Sequence, residues 1–171
     1  MVRNALKVAG EPGLVLDVAC GAGRFWPVLA EHANRVILAA DPSPDMLEHA
    51  LTHHGGALLQ RVRTFPSSAF TIGLSANAVD CIFCLQLFRH VSASEHRLAL
   101  LREFYRVSRD TVIVSVQIEG RLKIGHSSPR KLAGKADIET EFRKAGFTVV
   151  WHQDFLPGFA LTRVYVLRKT S

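Results

Sequence analysis

Leu14-Val15-Leu16-Asp17-Val18-Ala19-Cys20-Gly21-Ala22-Gly23 is the stretch whose reading decides the fold. Its first six residues form a short Val/Leu-rich run, bounded by Pro12-Gly13 before and by Gly21 and Gly23 after. An apolar run without alternation predicts a parallel strand buried on both faces. Gly21 permits a tight turn, and Gly23 lets backbone approach a ligand closely. Downstream, Phe25, Val28 and Leu29 at helical spacing predict a helix over Arg24–Ala33, with Pro27 early, where its missing N–H costs little. Val36–Ala40 predicts a second buried strand ending at Asp41. The stretch thus opens a strand–glycine turn–helix–strand unit, with one acid inside its first strand and another at the end of its second.

The same grammar continues. A helix from Pro44 to about His54 has Ser43 as N-cap, an apolar stripe of Met46, Leu47, Ala50 and Leu51, and Gly55-Gly56 as its stop. Gln60–Phe65 predicts a third strand, residues 66–78 a loop, and Val79–Leu85 a fourth strand. Ser94–Val107 predicts a helix that Ser94 caps and that buries Leu98, Leu101, Phe104 and Tyr105. Thr111–Val116, a helix over Ala136–Lys144, Phe147–Phe155 and Leu161–Arg168 complete the chain. Alternation of strands and helices implies a parallel sheet with helices on both faces. The last two strands are joined too closely for a crossover and must form an antiparallel hairpin. Such sheets bind ligands at the carboxyl ends of their strands, where strand order reverses.

Composition is compatible with this architecture. With 171 residues, 48% hydrophobic and 21% charged, the chain reads as one globular domain over residues 1–171. No run approaches the ~18 apolar residues of a membrane span, and no signal peptide is visible. Three cysteines argue against a disulfide framework and for a reducing, cytoplasmic setting. The net charge of +6 is uneven. Residues 1–100 carry 8 basic and 8 acidic side chains, and residues 101–171 carry 13 and 7. The densest part, residues 121–135, follows the fifth strand and so begins at the ligand edge. It is either a solvated loop or a seat for an anion.

Two nucleotide-type ligands compete for the glycine loop. A dinucleotide wants a third glycine where this chain has Trp26, whose ring would crowd a pyrophosphate. Nor does a dinucleotide explain Asp17. A ligand carrying an ammonium group does, because a carboxylate beside the loop can hold it directly or through water. Asp41, 18 residues after Gly23, lies where a ribose-binding acid belongs.

Together, L-D-V-A-C-G-A-G-R-F and V-I-L-A-A-D-P-S-P-D-M-L resemble motifs I and II of the class I S-adenosylmethionine-dependent methyltransferases. V-D-C-I-F-C-L-Q-L-F-R-H-V, L-L-R-E-F-Y-R-V-S-R-D and A-G-F at 145–147 are similar to later segments of that family, so the likeness covers roughly residues 12–168. It implies a Rossmann-like, doubly wound, seven-stranded, mostly parallel sheet ending in an antiparallel hairpin. It implies S-adenosyl-L-methionine as cofactor, S-adenosyl-L-homocysteine as product, and no metal. By this resemblance Ala19, Gly21 and Gly23 line the methionine part, and Asp17 takes its amino group. Asp41 accepts from the ribose hydroxyls. Pro42 packs on adenine opposite Ile72 or Leu74, with Met46 nearby, and Cys84 and Leu85 face the methionine end. Where many relatives carry an adenine-binding acid, this chain has Ser68-Ala69, which provides less charge assistance.

The acceptor side is less defined. The Asn/Asp-Pro-Pro-aromatic motif that grips planar amines in some relatives is replaced by Leu85-Gln86-Leu87-Phe88, which argues against methylation of base amines. Gln86 and Arg89 are candidate substrate contacts, and His90 is the candidate base. His126 and Arg130 are the candidates of the basic stretch. Cys81 and Cys84, three apart on a strand, point to opposite faces and do not make a metal pair. Only 13 residues precede the first strand, where relatives usually carry further helices. An open cleft, or one closed by a second copy or a partner, follows as an expectation. The expected activity is methyl transfer to an O, N or C nucleophile of a small metabolite, with an anionic one favoured by the basic stretch. The alternatives are a non-catalytic module that binds cofactor or a partner, and an RNA methyltransferase using residues 121–135.

Overall fold

The computed structural model describes residues 1–119, 132–155 and 161–171. Its elements in chain order are α1 (Val2–Val8), β1 (Leu14–Val18), α2 (Trp26–Leu29), β2 (Val36–Asp41), α3 (Pro44–His53), α4 (Gly56–Leu59) and β3 (Val62–Pro66). There follow β4 (Val79–Cys84), a 3-10 turn (Phe88–His90), α5 (Ser94–Val107), β5 (Ser108–Ile118), α6 (Lys135–Lys144), β6 (Phe147–Phe155) and β7 (Leu161–Lys169). The seven strands form one sheet in the order β3-β2-β1-β4-β5-β7-β6. β1 to β5 pair in parallel, and β7 runs antiparallel to both β5 and β6. The predicted doubly wound sheet with its terminal hairpin is what forms.

Side-chain alternation along the strands divides the core in two. Leu16 and Val18 of β1 join Leu100, Leu101 and Phe104 of α5 and Ile138 and Phe142 of α6 on one face. Val15 joins Ala5 and Leu6 of α1, Trp26 and Leu29 of α2, and Leu47 and Ala50 of α3 on the other. Asp17 follows the parity of Val15 and therefore points into the layer that holds Trp26. Cys81 and Cys84 lie in different clusters, on opposite faces as their spacing requires. Strand order reverses between β1 and β4, which puts the glycine turn and the end of β4 side by side at one edge of the sheet.

Several local expectations need correction. The helix predicted over Arg24–Ala33 is only the single turn Trp26–Leu29. Residues 20–25 are consumed by turns, and the guanidinium groups of Arg35 and Arg61 take the carbonyls of Leu29, Ala30 and His32 that a longer helix would use. Gly55-Gly56 does not stop α3, because the backbone is already extended at His54; Gly55 caps α4 instead. Ser94 is not a cap. Ala93 holds that position, and the Ser94 hydroxyl donates to Glu141 Oε1 at 2.8 Å. The buried stripe of α5 is Arg97, Leu100, Leu101, Phe104 and Val107, with Leu98 and Tyr105 at its margin. On α3 only Leu47 and Ala50 are buried, and Met46 is 41% exposed. The first 13 residues contain α1, whose apolar face the sequence reading passed over; Ala5, Leu6 and Ala9 are buried against the sheet.

Candidate functional site

The glycine turn is built from three residues in the left-handed region: Ala19 (φ 55°), Gly21 (φ 55°) and Gly23 (φ 74°). Cys20 N–H donates to Ala40 O at 3.1 Å, so the turn stays registered on β2. Asp41 ends β2 and clamps the turn from the other side. Its Oδ2 accepts Gly21 N–H and its Oδ1 accepts Ser43 N–H, each at 3.0 Å. A Cβ built on Gly21 would meet nothing within 4 Å, so this glycine faces open space. One built on Gly23 would lie 2.5 Å from the Trp26 ring. The space a side chain would need at Gly23 is therefore filled by the chain's own indole.

Trp26 is fully buried beneath the turn, and its Nε1–H donates to Asp17 Oδ2 at 3.1 Å. Asp17 itself is 3% exposed. Its Oδ1 has no hydrogen-bond partner among the described residues. Burial pushes its carboxyl up to about 8; the Trp26 N–H opposes the rise, and the neighbouring Asp41 charge adds to it. His54 closes the group from above. Its Nε2 lies 3.0 Å from Ala22 O, and its ring centroid is 5.0 Å from that of Trp26. A carbonyl can only accept, so Nε2 carries the proton there. Trp26 and His54 were not foreseen as site residues. The available signal was Trp26 in a glycine's place, nine residues after a strand carboxylate.

The wall beside Asp41 comes from the loop after β3. Ser67 N–H donates to Asp41 O at 3.0 Å. Ile72 is buried and Leu74 half-buried, while Pro42 and Met46 across the cleft are exposed. The loop's path is fixed from α5. Glu103 Oε2 accepts Ile72 N–H at 2.8 Å, and Arg106 donates to Leu74 O at 2.9 Å and Ile72 O at 3.0 Å. The paired Arg106 guanidinium holds the Glu103 carboxyl below its ordinary range. Ser68 is exposed, and its Oγ accepts Phe70 N–H at 3.1 Å, so part of its bonding capacity serves its own turn; Ala69 is half-buried beside it.

At the end of β4, Cys84 is fully buried, its thiol pushed up to about 12 by burial. Leu85 O accepts the Ser115 hydroxyl of β5, and Gln86 is half-buried. Arg89 and His90 follow on the exposed 3-10 turn, with Arg89 Nε donating to His90 Nε2 at 3.2 Å. A cavity of about 520 Å³ opens here, with an apolar floor of Phe88, Val116 and Ile138 and with Arg89, His90 and Gln117 around it. Arg97 borders it but is not free. It forms a bidentate pair with Glu141 (2.8 and 2.7 Å) and donates to Ser92 O at 2.7 Å. His126 and Arg130 lie outside the described residues. Among the described residues no group of three His, Cys, Asp or Glu side chains is arranged to hold a metal ion.

An open, doubly wound sheet with a glycine turn at its reversal point, flanked by acids on adjacent strands, is the arrangement of nucleotide-cofactor domains. Residues 15–111 match the family model described as a methyltransferase domain, and the chain belongs to that family. A Schizosaccharomyces pombe protein described as uncharacterized and methyltransferase-like is 32% identical over 98 residues, 57% of this chain. That match spans 34% of the fission-yeast protein, so this chain corresponds to about a third of the curated relative. Among solved structures, magnesium protoporphyrin IX methyltransferase from Synechocystis PCC 6803 with bound SAH superposes with a TM-score of 0.79 at 19% identity, over 98% of this chain and 83% of that one. The cyclase SpnF superposes with a TM-score of 0.79 at 16% identity, over 98% and 80%. At these identities the likeness is one of fold.

Proposed function

We propose that this chain is an S-adenosyl-L-methionine-dependent methyltransferase domain acting on a small metabolite through an O, N or C nucleophile. The observation that carries the reading is the pairing of an open glycine turn with a buried strand carboxylate that has one oxygen unpartnered. A buried carboxylate without a cation is costly to ionise, and an ammonium-bearing ligand resolves that cost. The site fits such a group in three respects: space above Gly21, an acid awaiting a cation, and a second acid beside an apolar wall.

Asp17 would hold the amino group, and the backbone of Ala19 and Gly21 would lie along the methionine part. Asp41 uses one lone pair of each oxygen on Gly21 and Ser43, which leaves the others for ribose hydroxyls. Pro42, Met46, Ile72 and Leu74 supply apolar surface for adenine, with Ser68 and Ala69 at its edge. When bound, the cofactor supplies an electrophilic methyl group for in-line displacement. The chain's task is then orientation and exclusion of water. Cys84, Leu85 and Gln86 border the methionine end, and the neighbouring cavity receives the acceptor. Arg89 and the basic stretch favour an anionic one, and His90, which lines the cavity, would be the residue to take a proton.

A second reading, a module that binds cofactor without turnover, is favoured by one observation. His90 Nε2, the lone pair a base would use, already accepts from Arg89. The SpnF likeness also shows that this fold is not tied to one reaction. Calorimetric titration with S-adenosylmethionine and S-adenosylhomocysteine, beside Asp41→Ala, tests the proposal. Saturable binding that weakens at least tenfold in the variant is the expected result; a folded chain that binds neither compound overturns it. A screen of acceptors then separates turnover from binding alone.

A further inference from the structure

This inference rests on the cofactor reading above and concerns a residue no motif assigns. We propose that Trp26 is a positioning residue: its indole N–H holds one oxygen of Asp17, so that the other is presented to the ammonium group of the cofactor. The geometry is specific. Trp26 is completely buried, and Gly23 makes room for its ring where any side chain would collide. His54 covers the ring's outer side. The indole N–H is Asp17's one hydrogen-bond donor among the described residues, and no described Lys, Arg or His forms an ion pair with it.

The titratable groups nearest the Asp17 carboxyl are themselves acidic or neutral: Asp41 at the end of β2 and Cys20 in the glycine turn, with the Cys84 thiol on the opposite face of the sheet. None offers it a positive charge. A carboxyl in this setting resists ionisation until a cation arrives, and the indole bond is the one protein contact that eases it. Trp26 therefore fixes the direction of the carboxylate and also the pH above which it is ready. Its effect on affinity has a form that packing alone does not produce. Below the Asp17 midpoint, losing the N–H makes ionisation harder and weakens binding. Well above it, Asp17 is ionised before and after binding, so the bond cancels.

The test is the dissociation constant of S-adenosylhomocysteine from pH 6 to 9.5 for the wild type, Trp26→Phe and Asp17→Asn. Phe keeps an aromatic ring beneath Gly23 and deletes the donor. The ratio of variant to wild-type constants cancels the ligand's own titration. It is expected to be about tenfold at pH 7, equivalent to raising the midpoint by roughly one unit, and to fall toward unity at the alkaline end. In the Asp17→Asn background Trp26→Phe should add no pH-dependent change. A ratio constant across pH means that Trp26 only packs, and overturns the proposal while leaving the cofactor reading intact. A folded wild type that binds no S-adenosylhomocysteine overturns both. Should Trp26→Phe fail to fold, the wild-type indole N–H resonance decides. The chain has two tryptophans, so Trp151→Phe assigns the signal. The Trp26 proton should shift with the same midpoint as the affinity and move again on adding ligand. A resonance indifferent to both overturns the proposal.

Discussion

Replacing Gly23 by alanine probes the foundation of the site, and its cost can be worked out in parts. At φ 74° a side chain enters the left-handed region, which costs about 1–2 kcal/mol for an L residue. Alanine narrows the unfolded ensemble and returns roughly 0.4–1 kcal/mol. The new Cβ would lie 2.5 to 2.7 Å from three carbons of the Trp26 ring. That ring is fully buried and tied to Asp17, so it has little freedom to yield. Overpacking of this kind costs about 1–3 kcal/mol. The net loss is about 2–4 kcal/mol, or roughly 5–15 °C in Tm for a domain of this size. Gly21→Ala is the internal control. It has the same sign of φ but open space around the added Cβ, so only the conformational part applies, about 1 kcal/mol. Thermal and urea unfolding followed by circular dichroism would measure both. If Gly23→Ala is no more destabilising than Gly21→Ala, the indole does not fill the space assigned to it here.

Burial keeps Asp17 protonated in the folded chain up to about pH 8, whereas the unfolded carboxyl ionises near 3.8. The folded state therefore binds the extra proton between these values, and Asp17's contribution to stability is full below them and lost as pH rises through about 8. Urea unfolding from pH 5 to 9 should show wild-type stability declining relative to Asp17→Asn; parallel curves would contradict the burial. Arg97→Met and Glu141→Gln each leave one member of a buried pair alone, at a cost of about 3 kcal/mol; the double-mutant cycle should show strong coupling, and independent small effects would refute it. Ala19 occupies φ 55°, so Ala19→Gly should raise stability by about 0.5–1 kcal/mol, and a loss would mean that the turn is not strained.

The sheet was legible because buried parallel strands leave dense apolar runs. Val36–Asp41 and Val79–Cys84 coincide with their predicted runs to within a residue. Asp17 inside β1, Gly21 in the turn after it and Asp41 at the end of β2 stand where the spacing puts them. The failures have one physical source, namely side chains that act across long sequence separations. Periodicity alone extends α2, and it takes Arg35 and Arg61 capturing its carbonyls to end it. Ser94 looks like a cap until Glu141, 47 residues later, claims its hydroxyl. Trp26 reads as an obstacle to a pyrophosphate, and only the fold shows it turned inward onto Asp17.

Glu103 and Arg106 grip the loop after β3 by main-chain atoms alone, the N–H and C=O of Ile72 and the C=O of Leu74. Every amino acid except proline offers those atoms, so this grip does not depend on which side chains the loop carries there. The exposed side chains of Phe70 and Thr71 beside that grip are thus free to change without loosening it, whereas the Ser68 hydroxyl serves its own turn. Lineages, or an engineer, can recut those positions one residue at a time. The scaffold that tolerates such tailoring is held by two side chains of α5, Glu103 and Arg106, through backbone atoms.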